Sequence, residues 1–150
     1  MTSVEFRRGV AEVLLAAGFV RCGQTFAREL SGVSTLLGIE RNFGARLSVN
    51  VGFWLHALGG AAPKLVEHAH CYFRLERLFP EYRETILDAC ALDEASQLDA
   101  YQRFLETLRE AIDSRLRVIG TLEGLRHAFA AGKLRGGLLT KEARPFLLTA

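Results

Sequence analysis

Between Gly18 and Leu78 the apolar residues stop recurring in the steps of three and four that mark a helix and begin to alternate, and the alternation returns several times. Period-two segments separated by Gly-containing turns describe an antiparallel sheet. The clearest segment follows Asn42-Phe43-Gly44: Leu47, Val49, Val51 and Phe53 fall on one side, and Arg46, Ser48, Asn50 and Gly52 on the other. Upstream, Phe19 to Cys22 leads through Gly23 into Thr25 to Leu30, and Ser31-Gly32 turns the chain into Ser34 to Arg41. After Gly59-Gly60-Ala61-Ala62-Pro63, Cys71, Phe73 and Leu75 alternate with Tyr72, Arg74 and Glu76. About four strands are therefore expected, with one greasy face and one polar face.

Helical spacing brackets this sheet. Thr2 followed by Glu5 has the form of a capping box, and Phe6, Val10, Val13, Leu14 and Ala17 predict a helix over 3–17 that stops at Gly18. Beyond Pro80 the helical period returns. Pro80 opens a short helix carrying Tyr82, Ile86, Leu87 and Cys90; Asp93 caps a long one with Leu98, Tyr101, Leu105, Leu108 and Ile112 inward. Thr121 starts another, with Leu122, Leu125 and Phe129 inward, stopped by Gly132, and Thr140 caps a last short turn. The fold class is α+β, one domain over 1–150: a sheet-containing half over 1–78, with its N-terminal helix, and three to four helices over 79–150. A chain of 150 residues buries about 68–70% of the surface its unfolded form exposes, enough for one core.

Charge excludes little but directs attention. Nineteen basic and seventeen acidic residues give +2, too small to make the whole molecule a polyanion binder. Residues 93–113 hold six acids and two Arg, net −4, and 114–150 hold seven bases and two acids, net +5. Three cysteines without paired spacing, Cys22, Cys71 and Cys90, read as reduced thiols, and the interrupted apolar stretch after Met1 is neither a leader nor a membrane span. A cytoplasmic protein is the expectation.

Few residues combine into chemistry. His68 and His70 would share a strand face beside Cys71, but a zinc site needs further ligands, and His56, His127 and Cys90 lie in other elements. Glu40 and Glu76 share the polar face with Arg46 and Arg74, and with Arg28 as a further candidate; opposite charges lower carboxylate pKa values, which suits a charge ladder better than acid catalysis. Gly52 inside a strong strand marks either a bulge or a close approach by another backbone or a ligand. Gly59-Gly60 and Gly136-Gly137 lack the Gly-Lys-Ser/Thr ending of a phosphate loop. Only Tyr72 would offer a stacking surface on the polar face, so nucleic acid is disfavoured as a partner. The best cluster is Arg46, Asn50, Tyr72 and Arg74.

Gly18-Phe19, Gly23-Gln24-Thr25-Phe26, Ile39-Glu40-Arg41 and above all Leu47-Ser48-Val49-Asn50-Val51-Gly52 resemble the first half of a bacterial family catalogued as domain of unknown function 4304. The strand from Cys71 to Arg77 is similar to that family's Arg-containing fourth strand, and Glu40 stands where the family has Gln. The resemblance covers about 3–78, implies an α+β domain and carries no established activity.

The functional expectation is a non-catalytic cytoplasmic interaction or accessory domain, of immunity type or similar, that recognises a protein partner through its polar sheet face, with Arg46, Asn50, Tyr72 and Arg74 as the best cluster, or through its helical tail, and needs no cofactor. One alternative is a small-molecule binder or metal-dependent hydrolase with a pocket near Asn50, His68 and His70. Another is nucleic-acid binding by the basic tail: Arg115, Arg117, Arg126, Lys133, Arg135, Lys141 and Arg144.

Overall fold

The computed structural model describes residues 1–148. Helix α1 spans Ser3–Ala16 and begins at the expected capping box: Thr2 Oγ1 accepts from the Glu5 amide at 3.1 Å, and Glu5 Oε2 accepts from the Thr2 amide at 3.2 Å. Phe6, Val10, Ala11, Val13 and Leu14 form its buried face.

Among the described residues the sheet has six strands rather than about four. They are β1 (Val20–Cys22), β2 (Thr25–Leu30), β3 (Val33–Arg41), β4 (Leu47–Leu55), β5 (Cys71–Arg74) and β6 (Leu138–Leu139), lying side by side in chain order with every pair antiparallel. The two added strands are the edges, three and two residues long, too short for alternation to register. β6 reaches β5 only because residue 137 is glycine. A Cβ there would stand 2.1 Å from Phe73 Cδ2 and 2.6 Å from the Tyr72 carbonyl oxygen, so Gly136-Gly137 serves a close approach as well as a turn.

Side chains part as the alternation requires. Leu47, Val49, Val51, Phe53 and Leu55 join Phe26, Leu37, Cys71 and Phe73 in the main core, against α1 and the helices that follow β5. Those are α2 (Leu75–Leu78), α3 (Arg83–Cys90), α4 (Gln97–Thr107), α5 (Asp113–Ile119), α6 (Leu122–Ala130) and α7 (Ala143–Leu148). α4 runs through one π turn, Leu108–Ile112, directly into α5. Phe6, Phe53, Phe73, Phe79 and Phe104 are the largest fully buried side chains.

Three expectations are corrected here. α4 begins at Gln97 after Ser96, not at Asp93, because a run of turns occupies 92–96. Its inner seam is Ala100, Tyr101, Phe104, Leu108 and Ile112; Leu98 is exposed and Leu105 only partly buried. Arg28 faces the helices rather than the polar side. It is 5% exposed, with Nη1 donating to Asp113 Oδ1 at 2.6 Å and to the Ala17 carbonyl at 3.0 Å, and its guanidinium lies over Phe19.

The opposite face of the sheet is not an open polar surface. Its rows read Glu29, Ser34 and Trp54; Ala27, Leu36, Gly52 and Tyr72; Thr25, Gly38, Asn50 and Arg74; and Glu40 with Ser48. Across the middle lies the connection between β4 and β5, residues 56–70, which we call the strap. Val66 and Ala69 are buried against Leu36, with Ala27 and Tyr72 beside them, as a second small core. Glycine at two sheet positions makes the seat. A Cβ on Gly52 would stand 2.7 Å from Ala69 Cβ and 2.9 Å from the Val66 carbonyl oxygen, and one on Gly38 would meet Val66 Cγ2 at 3.0 Å. The register runs unbroken through Gly52, so of the two sequence readings the close approach holds and the bulge does not.

Polar contacts fasten the strap along its length. Thr25 Oγ1 donates to the Lys64 carbonyl at 2.6 Å, Trp54 Nε1 to the Gly60 carbonyl at 3.4 Å, and Ser34 Oγ pairs with His56 Nε2 at 2.7 Å. Among the described residues no helix is long and apolar enough to cross a membrane.

Candidate functional site

The strap leaves one end of the sheet uncovered, and arginines collect there. Arg41 ends β3, Arg46 lies just before β4 and Arg74 ends β5. The hairpin between β3 and β4 closes when the Asn42 amide donates to the Arg46 carbonyl at 2.9 Å and the Arg46 amide to the Phe43 carbonyl at 3.3 Å, with Gly44 taking the φ of +62° that the turn demands. Arg46 also bridges to Ala91, which ties the hairpin base to the chain leaving α3. Arg41, Asn42, Phe43, Arg46 and Arg74 line an open cavity of about 620 Å³.

At the tip Phe43 is 96% exposed. A phenyl ring carried on a tight turn has no core within reach, and among the described residues Phe43 is the most exposed large apolar side chain, set beside three guanidinium groups. Arg74 extends the basic surface into a second depression, about 450 Å³, with Arg77 and Arg83 on its walls alongside Glu76, Pro80, Leu87 and Gly136.

Of the sequence-nominated cluster, Arg46 and Arg74 line this cavity together. Asn50 and Tyr72 stand behind them. Asn50 sits directly across from Arg74 and Gly52 across from Tyr72. Tyr72 is half-buried against the strap. Its phenol is held above its ordinary pKa by burial first and then by Glu40, with Arg74 opposing, so it remains a protonated donor. Asn50 does leave the core side, yet it is only 3% exposed. The reason is its cover: Glu40 on β3 and Arg74 on β5 approach to 4.0 Å (Oε1 to Nη2). The two strands are two sheet spacings apart, about 9.6 Å, so the bridge necessarily passes over β4 at Ser48 and Asn50.

The histidine and cysteine candidates do not converge. His68 is exposed on a short 3-10 turn, Val66–His68, and His70 is buried where the strap ends. They do not share a strand face, because β5 begins only at Cys71. Cys71 points into the core, where burial pushes its thiol up to about 12 and leaves it a poor nucleophile. His70 stacks on Trp54 with centroids 3.8 Å apart, and its Nδ1 accepts from the Leu55 amide at 2.8 Å. No group of three metal-ligating side chains occurs among the described residues. Asn50 sits across from Arg74 at the arginine end, whereas His68 and His70 belong to the strap.

The sequence reading also missed the Ser34–His56 pair, a hydroxyl and base at bonding distance. Ser34 is nevertheless fully buried, and among the described residues no carboxylate hydrogen-bonds His56, so the pair holds down the strap. Arg41 and Phe43 were missed as well; the signal available was a large apolar residue inside an Asn-Phe-Gly turn. In the basic C-terminal segment, Arg115 pairs with Glu81 and covers Phe79, Arg117 binds Asp113 and the Ala17 carbonyl, and Arg126 binds the Phe146 carbonyl and covers its ring. These three cations are committed to the fold.

No protein-family model, curated protein or solved structure matches the chain.

Proposed function

We propose that the chain is a non-catalytic recognition domain that binds an acidic segment of a protein partner at the arginine end of its sheet. One observation carries the reading. Three arginines, Arg41 and Arg46 from the two sides of one hairpin and Arg74 from the end of β5, surround an open cavity with an exposed Phe43 on its rim. Guanidinium groups bind carboxylates with paired, charge-assisted hydrogen bonds. Exposed aromatic and arginine side chains are the residue types that dominate protein interfaces. The similarity to family 4304 adds a fold expectation and no activity, so it neither extends nor narrows this reading.

A metal-dependent reaction finds less support, since His68, His70 and Cys71 are dispersed and the buried thiol is protonated. Selection of random twelve-residue peptides on the immobilised chain tests the proposal. Enriched peptides are expected to carry Asp or Glu around an apolar residue. They should lose about tenfold or more in affinity with Arg46→Ala/Arg74→Ala or Phe43→Ser, the loss of one charge-assisted bond or one anchor, and bind Arg135→Ala unchanged. Enrichment of basic or uncharged peptides, or indifference to those substitutions, would overturn it.

A further inference from the structure

Two polar side chains beneath the Glu40–Arg74 bridge have unmet hydrogen-bonding capacity. Among the described residues Ser48 Oγ and Asn50 Oδ1 have no hydrogen-bond partner, although their residues are 4% and 3% exposed. Leaving such groups unpaired in a folded interior is costly, and a site that keeps them meets them with water, an ion or a ligand. Here both lie on adjacent rows of one strand, flanked by Glu40 opposite Ser48 and Arg74 opposite Asn50. The bridge above them is loose. Its atoms are 4.0 Å apart and its side chains 39% and 45% exposed, so either can swing outward with little loss.

Resting on the reading of the arginine end as an acidic-segment site, we propose that Ser48 and Asn50 are the floor of a subsite for one Asp or Glu residue of the partner, and that Glu40 is its internal competitor. The incoming carboxylate takes Arg74 from Glu40 and accepts from the Ser48 hydroxyl. The backbone N–H of the same residue donates to Asn50 Oδ1. An acidic residue within a peptide supplies both an acceptor pair and a donor, and this distinguishes it from a phosphomonoester dianion, which offers Asn50 Oδ1 no proton. Glu40 keeps Arg74 occupied when the site is empty and sets a threshold on affinity. That the competitor is a carboxylate indicates which anion the pocket accommodates.

The test uses N-acetyl-aspartate amide as probe, titrated into the full chain and followed by the side-chain Nε–H signal of Arg74 and the amide signals of Asn50. Both sets should move together and saturate. Glu40→Gln should tighten binding roughly twofold to fivefold, the worth of one exposed ion pair. Ser48→Ala and Asn50→Ala should each weaken it about fivefold or more. Ser48→Ala should leave thermal stability equal or higher, since it removes an unpaired buried hydroxyl, whereas a purely structural serine would lower it. Arginine signals that shift while Asn50 stays still, or a Glu40→Gln variant with unchanged affinity, would overturn the subsite and leave the acidic-segment reading intact. Phenyl phosphate, as its dianion, producing the same Asn50 shift would overturn the choice of a peptide carboxylate. Silence of every arginine signal would remove both proposals.

Discussion

Substituting Gly52 by alanine tests how the back of the sheet is built. The added methyl would stand 2.7 Å from Ala69 Cβ and 2.9 Å from the Val66 carbonyl oxygen, so strap or strand must shift by several tenths of an ångström. Overpacking of this kind costs about 1–3 kcal/mol, and replacing a glycine within a strand returns about 0.5–1 kcal/mol. Taken at the middle of each range, the net loss is about 1.3 kcal/mol, below the ~1.5–3 kcal/mol gained by burying a Val side chain such as Val66. The strap should therefore loosen and not detach. For a domain of this size that loss lowers the melting temperature by about 2–8 °C, and the amides of 64–70 should exchange faster while those of β3 and β4 do not. Adding Ala69→Gly to Gly52→Ala should recover part of the loss, since the closest contact is then gone. A Gly52→Ala protein more stable than the parent, with unchanged exchange over the strap, would refute the close-approach account.

Three further outcomes are expected. Asp113→Asn leaves Arg28 buried without its carboxylate beside Phe19 and should cost about 3–5 kcal/mol in urea titrations, whereas Arg117→Ala, which removes an exposed side chain bonded to Asp113 and to the Ala17 carbonyl, should cost less, about 1 kcal/mol. His70 has its pKa lowered from 6.5 by burial, with Glu142 opposing, and its Nδ1 must stay unprotonated to accept from the Leu55 amide. The unfolded chain then binds the extra proton, so this contribution to stability is complete above about pH 6.5 and is lost as pH falls through the lowered folded value; urea midpoints should decline on acidification, and His70→Asn should flatten the decline. Thiol labelling of the native chain near pH 8 should modify exposed Cys22 quickly and spare Cys71 and Cys90, both pushed up to about 12 by burial; rapid labelling of all three would contradict the core packing.

Long, strongly alternating segments were readable because one side of each strand must find the core. β4 shows this in Leu47, Val49, Val51 and Phe53, and the capping box at Thr2 fixed the first helix with equal clarity. The edge strands were not readable, since β1 has no buried side chain to set a period and β6 exists only through its pairing with β5. Alternation reports which side a residue takes and is silent about what lies beyond that side. Ser48 and Asn50 therefore read as solvent-facing although the Glu40–Arg74 bridge encloses them, and Arg28 read as a surface charge although a carboxylate 85 residues downstream draws it inward. The glycine at position 52 did carry the needed signal. Only the tertiary structure could name its neighbour as the strap. Arg46 and Arg74 were legible as a pair on the polar side, but the cavity they share with Arg41 and Phe43 depends on how the hairpin tip folds, which no local pattern encodes.

A charge exchange probes the acidic-segment site most directly. An acidic peptide selected on the parent chain is compared with its counterpart bearing Lys at each Asp or Glu, against the parent and against Arg46→Glu/Arg74→Glu. The parent should bind only the acidic form and the double variant only the basic one, because exchanging both partners restores the attraction that each single exchange destroys. Equal binding of the acidic peptide by the two proteins would contradict recognition through Arg46 and Arg74.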